Sequence, residues 1–242
     1  MKKLLLGIAA VCLAGFTFAQ DAPLWMRHSV ISPDGTTIAF TYKGDIYTVP
    51  VAGGRAMQIT TNPAYDTAPV WSPDSKRIAF ASDRMGSLDV YIVAKDGGEP
   101  RRLTTHSGSE TPLAFTDAGH VLFSAGIMPS AEAVVFPSNG QFNQVYRVSV
   151  EGGRPTMISS MPMECISINK EGAMLYQDKK GYEDYWRKHH VSPIARDIWM
   201  YTPGKEPQYR QLTTFGGEDR EPVWAPDGKT FYYLSEENGS FN

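Results

Sequence analysis

The sequence predicts an all-β chain: a β-propeller of four-stranded antiparallel blades, truncated, with four complete blades and half of a fifth. Three recurrences predict it. A Pro-Asp turn appears as Ser32-Pro33-Asp34-Gly35, as Ser72-Pro73-Asp74-Ser75 and as Ala225-Pro226-Asp227-Gly228, each followed by an apolar run. An alternating stretch around an aromatic appears four times, centred on Tyr47, Tyr91, Tyr146 and Trp199. A glycine turn follows each stretch: Gly53-Gly54, Gly97-Gly98, Gly152-Gly153 and Pro203-Gly204. Successive central aromatics lie 44, 55 and 53 residues apart, so the strands recur while the loops between them grow. Units of about 40–50 residues with four strands have the size of a propeller blade.

The chain opens on a segment outside that pattern. Lys2-Lys3 precede an apolar stretch from Leu4 to Phe16, and Thr17-Phe18-Ala19 ends in a small residue. This is the pattern of a secretory signal, residues 1–19, with cleavage expected after Ala19, and the apolar run is short for a membrane span. Cys12 is a poor lipid-attachment site, since Val11 stands where a small residue is wanted. The mature chain, residues 20–242, is expected in the periplasm or outside the cell, with no membrane association after cleavage.

Within each unit the first part is an apolar run ending at the Pro-Asp turn, as in Ala68-Pro69-Val70-Trp71. The second follows the turn: Ile38-Ala39-Phe40, Ile78-Ala79-Phe80, Phe231-Tyr232-Tyr233. The third is the aromatic stretch, as in Asp89-Val90-Tyr91-Ile92-Val93. The fourth is short and ends in a hydroxyl: Gln58-Ile59-Thr60, Arg102-Leu103-Thr104, Met157-Ile158-Ser159, Gln211-Leu212-Thr213. Runs of β-branched and aromatic residues between Gly, Pro and Asp read as strands. Proline presets the first turn position and glycine accepts a positive φ. The blades are expected at about 24–61, 65–105, 109–160 and 163–214, with an incomplete one at 219–242. The last lacks its third and fourth strands, so the chain reads as the N-terminal part of a longer protein. Trp71, Phe115, Ile168 and Trp224 are expected at equivalent first-strand positions, and Phe40, Phe80, Phe123 and Tyr176 at equivalent second-strand positions.

Charge narrows the function. The formal net charge is −3, and removal of Lys2 and Lys3 takes it two units further negative. A mildly acidic chain is a poor partner for nucleic acid or anionic membrane. After cleavage Cys165 is the one cysteine left, read as a small buried apolar side chain of the fourth copy's first strand.

Motifs that carry chemistry are missing. The sequence has no Gly-x-Ser-x-Gly, His-Glu-x-x-His, Cys-x-x-Cys or Gly-x-Gly-x-x-Gly. His189-His190 would point to opposite faces of a strand and reads as part of a polar loop. No catalytic residue, metal site or cofactor is expected here. Two features stand out as binding candidates. Asp66, Glu110 and Asp219 each lie five positions before the first-strand aromatic, while Met26 and Met163 break the pattern. They would either ring the mouth of a central channel and attract basic ligands, or cap local turns through backbone amides. The insertion from Gly181 to His190 carries Tyr182, Tyr185, Trp186 and Arg187, residue types that dominate contact surfaces. It would contact a neighbouring domain or a peptide, or else pack its aromatics over its own blade.

The repeated unit resembles the WD-like repeat of TolB-type propellers. More specific are Pro23-Leu24-Trp25-Met26-Arg27 running into Ile31-Ser32-Pro33-Asp34-Gly35, then Tyr185-Trp186-Arg187-Lys188-His189-His190 with Arg196-Asp197-Ile198-Trp199, and Gly217 through Gly228. Together these resemble the N-terminal propeller of secreted tricorn-type serine peptidases of the tail-specific protease family. The resemblance implies a parent enzyme in which PDZ and protease domains follow, with the propeller gating or binding peptides or unfolded protein segments. An oligomer is possible for such a parent, and the catalytic residues have no counterparts in this chain. Two alternatives stay open. One is a TolB-like interaction propeller, although blade one starts directly after the leader with no preceding α/β domain. The other is the propeller of a dipeptidyl- or oligopeptidase.

Overall fold

The computed structural model describes residues 25–127, 143–180 and 191–241. Among them every regular element is a strand. The first sheet joins β1 (Arg27–Ile31), β2 (Thr37–Tyr42), β3 (Asp45–Pro50) and β4 (Met57–Gln58) in that order. The second joins β5 (Asp66–Trp71), β6 (Arg77–Ser82), β7 (Asp89–Ala94) and β8 (Arg101–Arg102). The third joins β9 (Glu110–Asp117), β10 (His120–Ala125), β11 (Gln144–Ser149) and β12 (Thr156–Ser159). The fourth joins β13 (Met163–Ile168), β14 (Met174–Asp178), β15 (Ile198–Thr202) and β16 (Gln208–Gln211). The fifth sheet is a pair, β17 (Asp219–Trp224) with β18 (Phe231–Ser235). All pairings are antiparallel, so the molecule is four complete propeller blades and part of a fifth.

Registers confirm the equivalences expected from the repeats. Trp71 pairs with Ile78, Phe115 with Val121, Ile168 with Met174 and Trp224 with Phe231. Two residues further along, Phe40 faces Tyr47, Phe80 faces Tyr91, Phe123 faces Tyr146 and Tyr176 faces Trp199. The first three of these cross-strand pairs stack at 5.6–5.9 Å between centroids. Offset stacking at this distance adds to the area that the rings bury.

The turns follow their residues. Asp34 Oδ1 accepts hydrogen bonds from the Ser32 hydroxyl at 2.6 Å and the Thr36 amide at 3.0 Å. Asp74 does the same with Ser72 and Lys76. In the fourth blade Asn169 takes the part, accepting from the Glu171 and Ala173 amides. Gly35 and Gly228 take positive φ, and Ser75 adopts the same left-handed conformation at φ 57° without being glycine. Ser75 is held there by an inter-blade bond, its hydroxyl accepting from the Asp34 amide at 3.1 Å. The threonine hydroxyls that end three of the fourth segments share a task, while Ser159 instead meets the Tyr209 hydroxyl and the Met161 amide. β4 and β8 are only two residues long, so Thr60 and Thr104 extend the ladder by accepting from the Ile46 and Val90 amides through their side chains. Thr213 does so for Ile198.

Each first strand carries a bulge that the repeats do not announce. His28, Ala68, Cys165 and Glu221 occupy the same place in their strands, all at φ 50–52°, where the register slips by one residue. In β9 the equivalent residue is Pro112, whose ring forbids positive φ. The slip there moves past the proline, with Phe123 opposite Pro112 and Leu122 opposite Ala114. The bulge also corrects the reading of Cys165. It is exposed rather than buried, because the bulge turns its side chain off the core face.

The core lies between blades, not within them. Along β6, Ile78 and Phe80 join Ala39, Ile46, Ile59 and Trp71 on the side of the first blade. Ala79, one residue out of phase, joins Phe115, Val121, Phe123 and Tyr146 on the side of the third. Leu122 and Val145 likewise pack against Met163, Met174 and Tyr176 of the fourth blade. The period-two alternation of a strand therefore serves two different cores. The pair β17–β18 has one such face covered; Val223 and Tyr232 on the other are 55% and 71% exposed.

This arrangement predicts where mutations hurt. Phe123→Ala empties an inter-blade core and should cost about 3–5 kcal/mol. Tyr232→Ser lies on the open face and should stay within about 0.5 kcal/mol. Urea midpoints for the two variants measure the contrast.

Candidate functional site

At three seams the first residue of a blade is anchored to the blade before it. The Asp66 amide donates to the Gly44 carbonyl at 2.7 Å, Glu110 to Leu88 at 2.7 Å and Asp219 to Arg196 at 3.0 Å. The side chains of Asp66, Glu110 and Asp219 are thereby drawn into the seams and are at most 1% exposed. The residue that opens the third strand of the preceding blade stands beside them: Asp45 near Asp66, Asp89 near Glu110. Asp197 follows the Arg196 that holds Asp219. The seam between the third and fourth blades has Gln144 and Met163 at these positions, so both acids are absent together. That pairing was present in the sequence as the Asp that begins each aromatic stretch. Only the fold shows that it faces the next blade's acid.

A buried carboxylate needs a partner, and the seams differ in supplying one. Asp66 is held by Arg84, whose Nη2 donates to both carboxylate oxygens at 2.9 Å. The guanidinium lies 4.5 Å from the Tyr91 ring centroid and 5.6 Å from that of Phe80. Asp89 pairs with Arg102 at 2.9 Å. Asp197 pairs with Lys180, which also approaches Asp178 at 3.7 Å. In the same seam Arg196 reaches Glu164 at 3.3 Å and Glu218 at 3.4 Å, and Arg220 reaches Glu218 at 2.9 Å. Glu110 differs in its charge partner: among the described residues no salt bridge reaches it, and its two oxygens, like those of Asp89, meet no hydrogen-bond partner at bonding geometry. Burial, and after it the adjacent Asp89, raise its pKa to about 7, and the nearby Thr104 hydroxyl and His106 amide offset this only in part.

Glu110 lies at the buried end of a cavity of about 730 Å³ in the seam between the second and third blades. Arg102 and His106 belong to its second-blade wall, and Ile127, Tyr146 and Met157 to its third-blade wall. The Tyr146 hydroxyl donates to the Ile127 carbonyl. The other binding candidates, Tyr182, Tyr185, Trp186 and Arg187, lie outside the described residues, as does the 1–19 leader. Cys165 offers no ready nucleophile: although one side of the residue is open to solvent, the partly desolvated surroundings of its thiol, then the Glu221 and Glu164 carboxylates, raise the thiol pKa to about 12.

The class of protein is thus a β-propeller with polar, acid-lined seams. By family the chain belongs to the tricorn protease N-terminal β-propeller domain, whose family model matches residues 23–242. It is 24% identical over 220 residues to tricorn protease homolog 1 of Streptomyces coelicolor, covering 90% of this chain and 19% of that protein. Among solved structures it resembles the tricorn protease, with TM-score 0.68 and 19% identity over 90% of this chain and 21% of that one. It resembles a putative TolB from Agrobacterium tumefaciens equally well, with TM-score 0.68 and 17% identity over 91% of this chain and 73% of that one. The chain therefore spans about a fifth of the tricorn-type proteins it matches.

Glu110 should leave a signature in pH-dependent stability. Its raised pKa means the folded state keeps a proton that the unfolded chain releases above about pH 4.5. The stabilisation is complete below that value and is lost as pH rises through about 7. Glu110→Gln should therefore match the parent near pH 4.5 and exceed it at pH 8 by up to roughly 3 kcal/mol. Denaturation midpoints across that range report the difference.

Proposed function

We propose that this propeller binds or gates peptides and unfolded protein segments on behalf of a serine peptidase whose PDZ and protease domains follow in the parent polypeptide. The family match over residues 23–242 carries this reading. The leader pattern of residues 1–19 supports a periplasmic or secreted setting. In such a parent the propeller contributes selection and the downstream domain the chemistry, since propellers serve as scaffolds on which sites are placed. The face of Val223 and Tyr232 fits a further blade packed against the fifth sheet as the others pack on one another. Of the three acids, Asp66 is already occupied by Arg84, while both oxygens of Glu110 lack a hydrogen-bond partner, so a preference toward basic peptides falls first to Glu110.

The reading is tested on the chain and on its parent. The purified chain should bind a labelled unfolded peptide, read by fluorescence anisotropy, and leave it uncleaved. The parent should hydrolyse the same peptide, and loss of the propeller should change KM and size selectivity more than kcat on a short substrate. A parent without peptidase activity would favour the TolB-like alternative. A Gly-x-Ser-x-Gly hydrolase downstream would favour the oligopeptidase one.

A further inference from the structure

The second and third blades place the same parts around their acids, with one substitution. In the second blade Asp66 opposes Ser82, and Arg84 stands two residues beyond. In the third blade Glu110 opposes Ala125, and the residue two beyond is Ile127. The aromatic platform is retained: Phe123 and Tyr146 stack at 5.6 Å and 25°, as Phe80 and Tyr91 do at 5.9 Å and 27°. The second blade thus has an acid, two stacked rings and a guanidinium laid across them. The third has the acid and the rings, an isoleucine in place of the arginine, and the 730 Å³ cavity.

We infer that the cavity between the second and third blades is a binding site for a guanidinium group, the side chain of an arginine in a bound peptide, with Glu110 as its counter-ion at the buried end of the cavity. Arg84 on Asp66 is the molecule's own template for the contact: two hydrogen bonds to one carboxylate, over an aromatic ring. Such charge-assisted forks are strong, and a desolvated cation over a ring adds to them. Among the described residues no cation pairs with Glu110. Arg102 pairs with Asp89, and Arg101 with Glu151 at 2.9 Å. Arg154, on the turn wall, is the remaining cation of the lining and suits the backbone carbonyls or terminal carboxylate of a peptide. A buried acid held partly protonated near neutral pH is what an ionic site lacking its cation requires. The site itself follows from the two blades; that the arginine comes from a peptide rests on the proposed function.

The test uses the purified chain, with N-acetyl-arginine amide and its neutral isostere N-acetyl-citrulline amide as probes, followed by calorimetry. The arginine probe should bind at least tenfold more tightly than the citrulline probe. Affinity should rise between pH 6 and 8 as Glu110 gives up its proton, with His106, Arg102, Asp89, Glu151 and Arg154 the other charged or titratable groups around it. Glu110→Gln should lower affinity for the arginine probe at least tenfold, while Asp66→Asn should leave it within twofold. Ile127→Arg should supply the missing cation internally and abolish binding. Equal binding of both probes, or an unchanged affinity in Glu110→Gln, would overturn the site. If long peptides bind irrespective of arginine content while the arginine probe does not, the site fails and the peptide-gating reading stands. If the arginine probe binds and peptides do not, the site stands and the gating reading fails.

Discussion

Everything in this molecule depends on apolar packing across the seams between blades. A single four-stranded sheet cannot bury either face alone, and here both faces of a blade are built for neighbours. Ile78 and Ala79 are adjacent in sequence yet belong to different cores. Stability is thus a property of pairs of blades. A lost ring in one seam loosens two blades at once, while the open face of Val223 and Tyr232 contributes little until something covers it.

The polar groups of the seams depend on that packing. Anchoring the first amide of a blade to the preceding blade forces the first side chain inward, whatever its charge. Where that side chain is an acid the seam must neutralise it. Arg84 does so from within its own blade, and Arg102 and Lys180 pair the acids that begin third strands. The seam of Gln144 and Met163 removes the requirement by removing both acids. Glu110 is a departure from these solutions: among the described residues no cation pairs with it, and burial raises its pKa to about 7.

Much of the fold was legible because strands and turns are local. The turns of Asp34 and Asp74 follow from their own residue types. The strand equivalences of Phe40, Phe80, Phe123 and Tyr176 follow from repetition. The first-strand bulges were not legible, because Ala68, Cys165 and Glu221 have no preference for positive φ, and the mild one of His28 is not repeated in the other blades. Those conformations are imposed by pairing with the second strand, and Cys165 was misread as buried for that reason. Pro112 was a visible signal of an exception, but only once the rule for the other blades was known.

The candidate site divides the same way. The sequence by itself determined that acids recur at a constant offset from the first-strand aromatics, and that Met163 breaks the series. It also determined that the blades are strands joined by Pro-Asp and Gly-Gly turns, since each turn's backbone conformation is set by its own residues. Only the tertiary structure decided that Asp66, Glu110 and Asp219 are buried between blades, that Asp89 stands beside Glu110, and that Ile127 occupies the place of an arginine. These are contacts between segments 15 to 25 residues apart or more, and they arise from how whole sheets dock rather than from any local preference.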